Sequence, residues 1–445
     1  METSIRFKHQ EFAAVERRLL EDPSVESYAL AFAREHVVGD LRILAVTDVR
    51  YPRDADYVRR GTYELKVSFD GFLRHCLEEA YERVDVDCVI DIHTHPFTEE
   101  AWFSETDDAD ERGFCTYLSE RGLGYASIVL VRGSHAARYW SVSGHGKPVQ
   151  YLADIKCQTA LEGHDRQTQT RIAEVQDRSV RALGLKSMRR ITGADWICVV
   201  GVGGIGSIVA EHLVHMGFSH IRLIDHDRLE VSNMNRIVGA TYADALEGRL
   251  KVDAVAAHLS AINPEASIEA MPMSVFDERS EMAIADSDWV IVATDNHASR
   301  LRVQELCFAC FVPFITAGVN ITVEDGAIRD MSGEVILVRM GDRVCLSCLG
   351  RVNYDAVARE THPDAQVRAG LVARGYVSGA DVHEPAVKTL NTHLATLAVD
   401  VLVNQYTGRR RDSHVLVFED NEGPCIYEDR AAYQIRNLNC AVCDI

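Results

Sequence analysis

His93 and His95 stand one residue apart, Pro96 follows, and seven residues later come Ser104 and Asp107. Side chains alternate along an extended segment, so both imidazoles point to the same side. Asp107 can add a third, harder ligand. Two neutral imidazoles and a carboxylate leave a fourth tetrahedral position for water, which is how a catalytic rather than a structural zinc is held. Zinc brings such water to a pKa of about 7, and a nearby carboxylate can pass its proton to a leaving amine. A hydroxyl such as Ser104 can polarise the oxyanion.

A second cluster has the opposite chemistry. Gly201, Gly203, Gly204 and Gly206 follow an apolar run, and such a turn lets phosphate approach backbone N–H groups at a helix N-terminus. With Asp225 about twenty residues on, the spacing alone suits an NAD or FAD enzyme. The next residues change that reading: Asp225 and Asp227, then Ser232, Asn233, Asn235 and Arg236, then Lys251, then Asp295 and Asn296. Hydride transfer has no need of this set. Attack of a carboxylate on an α-phosphate does, because Arg236 and Lys251 can neutralise the developing charge while Asp295 holds Mg2+ against departing pyrophosphate.

Four of the twelve cysteines form two Cys-x-x-Cys pairs, Cys345/Cys348 and Cys440/Cys443. Two such pairs supply the four thiolates of a structural zinc even when far apart in sequence. Two unrelated thiol pairs are the weaker alternative, since the polar end Asn439–Asp444 would then fray. No apolar h-region occurs in Met1–Gln10, so a secretory signal is not expected and a reducing, cytoplasmic setting is.

The net charge of −20, from 47 basic and 67 acidic residues, argues against nucleic acid as a partner. No window approaches the roughly 18 apolar residues of a membrane span. At 445 residues the chain exceeds one core, so at least two domains are expected. Residues 11–22 read as an amphipathic helix ended by Asp22-Pro23, 25–32 as a strand, about 70–83 as a helix, and 88–92, 125–132 and 137–141 as strands. Residues 155–190, including Thr168 and Arg171, are polar and read as a connector. From Ile197 the pattern alternates: strands at 197–200, 220–225, 289–294 and 313–317, helices at 207–216, 251–262 and 298–311. That alternation predicts a doubly wound, largely parallel sheet.

The His-x-His-Pro segment with Ser-x-x-Asp after seven residues resembles the JAMM (JAB, MPN-plus) metalloisopeptidases over roughly residues 1–150. The resemblance implies a cytidine-deaminase-like α/β domain with His93, His95 and Asp107 as zinc ligands and Ser104 on the oxyanion side. It also calls for an upstream glutamate as general base; Glu26 matches, with Glu21 and Glu35 as competitors. Residues 175–445 resemble the adenylation domain of ubiquitin-activating enzymes and their bacterial relatives ThiF and MoeB. The matching pieces are Gly-x-Gly-Gly-x-Gly-Ser, Asp-x-Asp, Ser-Asn-x-x-Arg, Lys251, Thr294-Asp295-Asn296 and the cysteine pairs. This resemblance implies a Rossmann-like domain with a four-cysteine zinc site. ATP would be held at Gly204, Asp225, Asn235, Arg236, Lys251 and Asp295, and Arg181 would reach a partner subunit's nucleotide.

The expected organisation is a peptidase domain at 1–150, a helical connector and dimer-entry segment at 151–190, and an adenylation domain at 191–445. The expected cofactors are ATP, Mg2+ and two Zn2+, one catalytic and one structural. The expected function is that of a bacterial, homodimeric, bifunctional enzyme that activates a ubiquitin-like protein at its C-terminal glycine and processes or deconjugates it. Leu349–Asp400 contains no cysteine for a thioester, which points to a separate conjugating enzyme. The alternatives are activation of a sulfur-carrier protein, a non-catalytic scaffold for a ubiquitin-like fold, and an NAD enzyme.

Overall fold

A computed structural model describes residues 1–144, 146–162, 174–364, 386–432, 440 and 442–443. The chain divides into two compact units, Met1–His164 with Ala309–Phe311, and Asp165–Phe308 with Val312–Ile445. Thr168 and Arg171 of the expected connector, and Asn439 and Asp444, lie outside the described residues.

The first unit is built on β1 (Glu2–Arg6), α1 (Glu11–Leu19), β2 (Tyr28–Val38), β3 (Leu41–Arg50) and the small hairpin β4 (Tyr57–Arg60) and β5 (Leu65–Val67). Then come α2 (Arg74–Glu82), β6 (Cys88–Thr94), α3 (Glu105–Ser119), β7 (Gly124–Val131), β8 (Ser134–Val142) and β9 (Pro148–Lys156). Seven strands close a barrel in the order β1-β3-β2-β6-β7-β8-β9, sealed by parallel pairing of β1 with β9. The expected connector thus begins inside a barrel strand, because Ile155 turns into the core. β6 is buried along its whole length, as expected of a strand covered on both faces.

Local boundaries moved for identifiable reasons. α1 buries Phe12, Val15 and Leu19 on one stripe and stops at Leu19, ahead of Asp22, which Pro23 biases away from helix. β2 starts at Tyr28 rather than Val25 because Glu26 N–H is already spent on Gly61 O at 2.8 Å. The helix expected from residue 70 opens with a widened turn, Phe69–Leu73, capped by Ser68, before α2 proper.

The second unit contains α4 (Asp177–Leu183), α5 (Leu185–Thr192), β10 (Ile197–Val200), α6 (Gly206–Met216), β11 (His220–Ile224), α7 (Tyr242–Glu247), α8 (Lys251–Ile262) and β12 (Ser267–Met271). It continues with α9 (Glu278–Ala285), β13 (Trp289–Val292), α10 (His297–Ala309), β14 (Phe314–Glu324), β15 (Ala327–Val338), α11 (Tyr354–Glu360), α12 (Lys388–Thr407), β16 (Val415–Glu419) and β17 (Cys425–Glu428). The eight-stranded sheet runs β12-β11-β10-β13-β14-β15-β16-β17. Its first five strands are parallel and the remainder forms an antiparallel meander. The sequence reading caught the parallel half, where helices alternate with strands. It missed the antiparallel half, in which β15 follows β14 directly and β17 follows β16 directly, while α11 and α12 separate β15 from its neighbour β16 in sequence.

α12 packs on α6, β14 and β15. Its Leu394 is fully buried and comes within 2.9 Å of where a side chain on Gly333 of β15 would start. Nothing can collapse easily into that space. Leu394→Ala should therefore destabilise the protein by about 2–5 kcal/mol, read as a lower urea midpoint at unchanged slope.

Candidate active sites

In the first unit, β6 ends at the cluster. His93 Nε2 lies 3.4 Å from Asp107 Oδ1, and His95 Nε2 lies 3.5 Å from Asp107 Oδ2. The three donor atoms fall within 4.8 Å of one another. Asp107 arrives from the first turn of α3, where Ser104 is the N-cap. Ser104 Oγ accepts from Asp107 N–H at 3.2 Å, and Ser104 N–H donates to Asp107 Oδ2 at 2.6 Å. This reciprocal cap fixes the carboxylate to the end of the helix. Ser-x-x-Asp is a capping signature as much as a catalytic one, and the sequence reading used only the second meaning.

Glu26 lies just ahead of β2, whose Tyr28 pairs with His93. Its segment is tied down on both sides: Arg60 Nε donates to Glu26 O at 3.0 Å, and Ser27 N–H donates to Thr94 Oγ1 at 2.8 Å. Burial pushes the Glu26 carboxyl up to about 7, with the His93 charge opposing and the Asp107 charge adding. Glu35 is elsewhere, paired with Arg42 at 2.8 Å, and its N–H bonds Asp87 at the opposite end of β6. Glu21 is exposed.

The charges interlock. Burial disfavours a charged His93, but the Asp107 and Asp91 carboxylates outweigh it and raise His93 to about 10. Burial and the charge on His93 lower His95 to about 4. Burial would raise Asp107, but His93 and Ser104 hold it well below the usual carboxylate range. His93 Nε2 is buried without a well-directed hydrogen bond. Two imidazole nitrogens and a carboxylate converging in this way fit a zinc ion.

In the second unit, β10 runs into the glycine turn. Gly201 has φ +87°, and a side chain there would strike Ala293 O at 2.8 Å. A side chain on Gly206 would lie 1.8 Å from Gly201 O. Gly203 is open, whereas Gly204 faces Asn391 and the Arg236 side chain. Asp225 Oδ2 accepts from Val202 N–H at 2.7 Å and its Oδ1 from Asp227 N–H at 2.8 Å. Asp227 Oδ2 in turn accepts from Lys251 Nζ at 2.7 Å, so one hydrogen-bond chain ties Lys251 to the turn. Arg236 Nη1 donates to Ser232 O and Asn235 Oδ1, each at 2.9 Å.

Two polar residues serve the backbone: Asn233 Oδ1 accepts from Glu230 N–H at 3.1 Å, and Asn296 Oδ1 accepts from Ser299 N–H at 2.8 Å. Asp295 is exposed just after β13. Arg181 is exposed on α4, ion-paired with Asp177 at 2.8 Å.

The cysteine pairs converge. Cys345 and Cys440 have sulfurs 3.7 Å apart, and Cys348 and Cys443 3.6 Å. These are not disulfides. Four thiolates around zinc at about 2.3 Å would be spaced by about 3.8 Å, close to what is seen. Cys348 N–H and Val442 N–H point at Cys345 and Cys440 sulfur, at 3.3 and 3.4 Å. Burial and the neighbouring sulfurs push Cys345 up to about 12, a conflict that a shared cation relieves. Cys198, Cys307 and Cys310 are fully buried and Cys425 is exposed.

The ThiF family model matches residues 176–422, more than half of the chain. The chain belongs to the ThiF family. It is similar to ubiquitin-like modifier-activating enzyme 5 of Drosophila grimshawi, 31% identical over 164 residues, covering 34% of this chain and 39% of that one. It is likewise similar to the molybdopterin-synthase adenylyltransferase of Escherichia coli (strain K12), 30% identical over 157 residues, covering 35% and 59%. The chain thus spans less than two thirds of the length of these curated relatives. Among solved structures it is similar to E. coli MccB crystallised with AMPCPP and MccA, at a TM-score of 0.48 and 18% identity, over 62% of this chain and 75% of that one.

Sequence reasoning missed two residues at these sites. Asp91, two positions before His93 on the same face of β6, has Oδ1 3.3 Å from His93 Nδ1; the period-2 alternation already used for the histidines could have found it. Asn391 reaches Gly204 from the distant α12, and no local pattern announces it.

The four-cysteine cluster of the ThiF-family unit yields a direct test. Cys345→Ser should lower bound zinc by one equivalent per chain, read by atomic absorption, and lower the thermal midpoint. Equal zinc in wild type and variant would remove the structural-metal assignment.

Proposed function

We propose that the ThiF-family unit adenylates the C-terminal glycine of a ubiquitin-like protein, and that the first unit is a JAMM-type zinc peptidase acting on the same modifier. The observation that carries the first half is the glycine turn with Arg236 against Gly204 and Lys251 linked to it through Asp227 and Asp225. The modifier's carboxylate oxygen attacks the α-phosphorus of ATP, the bond to the β-phosphate oxygen breaks, and pyrophosphate leaves. The turn's N–H groups and the α6 N-terminus bind phosphate oxygens, Arg236 and Lys251 balance the charge gained in the transition state, and Asp295 would hold Mg2+. Arg181, freed from Asp177, would complete a partner's site in a homodimer.

The second half rests on His93, His95 and Asp107 converging beside buried Glu26. These three would hold zinc, which supplies Lewis acidity to water and to the scissile carbonyl. Glu26 takes the proton from the attacking water and returns it to the leaving amine. Ser104, with its oxygen accepting from Asp107 N–H, keeps its own hydroxyl proton for the oxyanion.

A second reading is activation of a sulfur-carrier protein, in which the adenylate becomes a thiocarboxylate. It is favoured by the similarity to a molybdopterin-synthase adenylyltransferase and by the absence of cysteine from Leu349–Asp400. Conjugate formation with a separate conjugating enzyme, against thiocarboxylate formation with a sulfur donor, separates the two.

The deciding experiment is ATP–pyrophosphate exchange with ubiquitin-like proteins ending in glycine, with the C-terminus free or blocked. Exchange should need the free C-terminus and vanish in Asp295→Ala, which still cleaves; His93→Ala should exchange but not cleave. Loss of both activities in either folded variant would sink the reading of two independent sites. Glu26→Gln should slow cleavage about 10²- to 10⁴-fold. In the wild type, cleavage should fall as pH drops through the Glu26 value, at or below about 7 because a bound cation favours the carboxylate. A flat acid limb would exclude Glu26 as the base.

A further inference from the structure

Asp91 and His93 occupy alternate positions near the buried end of β6 and His95 follows just past it, yet of the three only the histidines belong to the converging donor group. Asp91 is 8% exposed and faces the other nitrogen of His93, Oδ1 to Nδ1 at 3.3 Å. Its second oxygen accepts from the Tyr125 hydroxyl on β7. Each oxygen of this carboxylate therefore has one partner, and one partner is a candidate metal ligand.

Resting on the zinc reading of the cluster, we propose that Asp91 is the positioning residue of the site. By accepting from Nδ1–H it fixes the His93 tautomer and ring plane, so that the Nε2 lone pair is the one presented to the metal. Tyr125, hydrogen-bonded to Asp91, fixes Asp91 in turn. A ring nitrogen presented to a metal is commonly oriented by a carboxylate on its other nitrogen, and losing that partner weakens metal binding about 10- to 100-fold. Without Asp91 the ring could carry its proton on either nitrogen and rotate about its side-chain bonds. Tyr125 is itself 1% exposed, so the hydrogen bond that holds Asp91 is a buried one.

The test is zinc affinity of the full chain by competition with a chromophoric chelator. It is referenced to His93→Ala, which lacks this site and retains the four-cysteine site. Asp91→Ala should weaken the His93-dependent zinc about 10- to 100-fold. Asp91→Asn, which keeps an acceptor but drops the charge, should fall between it and wild type. Tyr125→Phe should weaken binding by a smaller factor than Asp91→Ala and broaden the visible spectrum of the cobalt(II)-substituted site, a change that simple loss of packing would not produce. Far-ultraviolet circular dichroism of the metal-free variants checks folding. Equal affinity in wild type and Asp91→Ala overturns the inference; should Asp91→Ala not fold, equal affinity and an unchanged cobalt spectrum in Tyr125→Phe do so. Wild-type zinc no higher than in His93→Ala is a different failure, one that removes the zinc reading itself and this inference with it.

Discussion

The close approach of Gly201 O to the α-carbon of Gly206 governs the second unit. No side chain fits between them: a Cβ on Gly206 would lie 1.8 Å from that oxygen. This approach lets the chain leave β10 and enter α6 within a few residues. The left-handed conformation of Gly201 and the nearness of Ala293 O and Thr294 bring the residues after β13 against the turn. Asp225 then locks the turn by accepting from Val202 N–H. The geometry of the turn follows from where side chains are absent, and Arg236, Asp225 and Asp227 with Lys251 are arranged around that absence.

The first unit solves a different problem. A carboxylate from α3 and two imidazoles at the end of β6 must be held together in a largely buried setting, where isolated charges are costly. The answer is to distribute the constraint. Asp107 is tied to a helix cap, His93 faces the buried carboxylate of Asp91 on its own strand, and the Glu26 segment is held by hydrogen bonds to the β4 end and the β6 end. α3 is itself anchored where Arg138 on β8 meets Glu111 and Asp108 at 2.7 and 2.6 Å. A shift of that helix would move Asp107 directly.

Local patterns carried much of this. β10 and α8 have the ends read from sequence, because a short apolar strand before glycines and an apolar stripe from Lys251 to Ile262 leave little freedom. Spacing alone named the residues that cluster at His93, at the glycine turn and at the cysteine pairs. Long-range arrangements were not legible: β1 lying between β3 and β9, the β15–β17 meander, and α12 delivering Asn391 to Gly204. Nothing in a window of ten or twenty residues distinguishes these from other strands and helices. The dual use of Ser104 and Asp107 was also hidden, since one short pattern satisfies two physical rules at once.

The four-cysteine cluster joins positions 95 residues apart, Cys345 to Cys440 and Cys348 to Cys443. With a metal ion between them the intervening chain becomes a ring containing α11, α12, β16 and β17. Closing a ring of that length removes much of the freedom of the unfolded chain, and the entropic gain grows only slowly with loop size. The ring also includes Asn391, which lies against Gly204 of the glycine turn. Oxidation or chelation at the cysteines, far along the sequence from the glycines, would therefore restore that freedom to the unfolded chain and lower the stability of the folded unit as a whole.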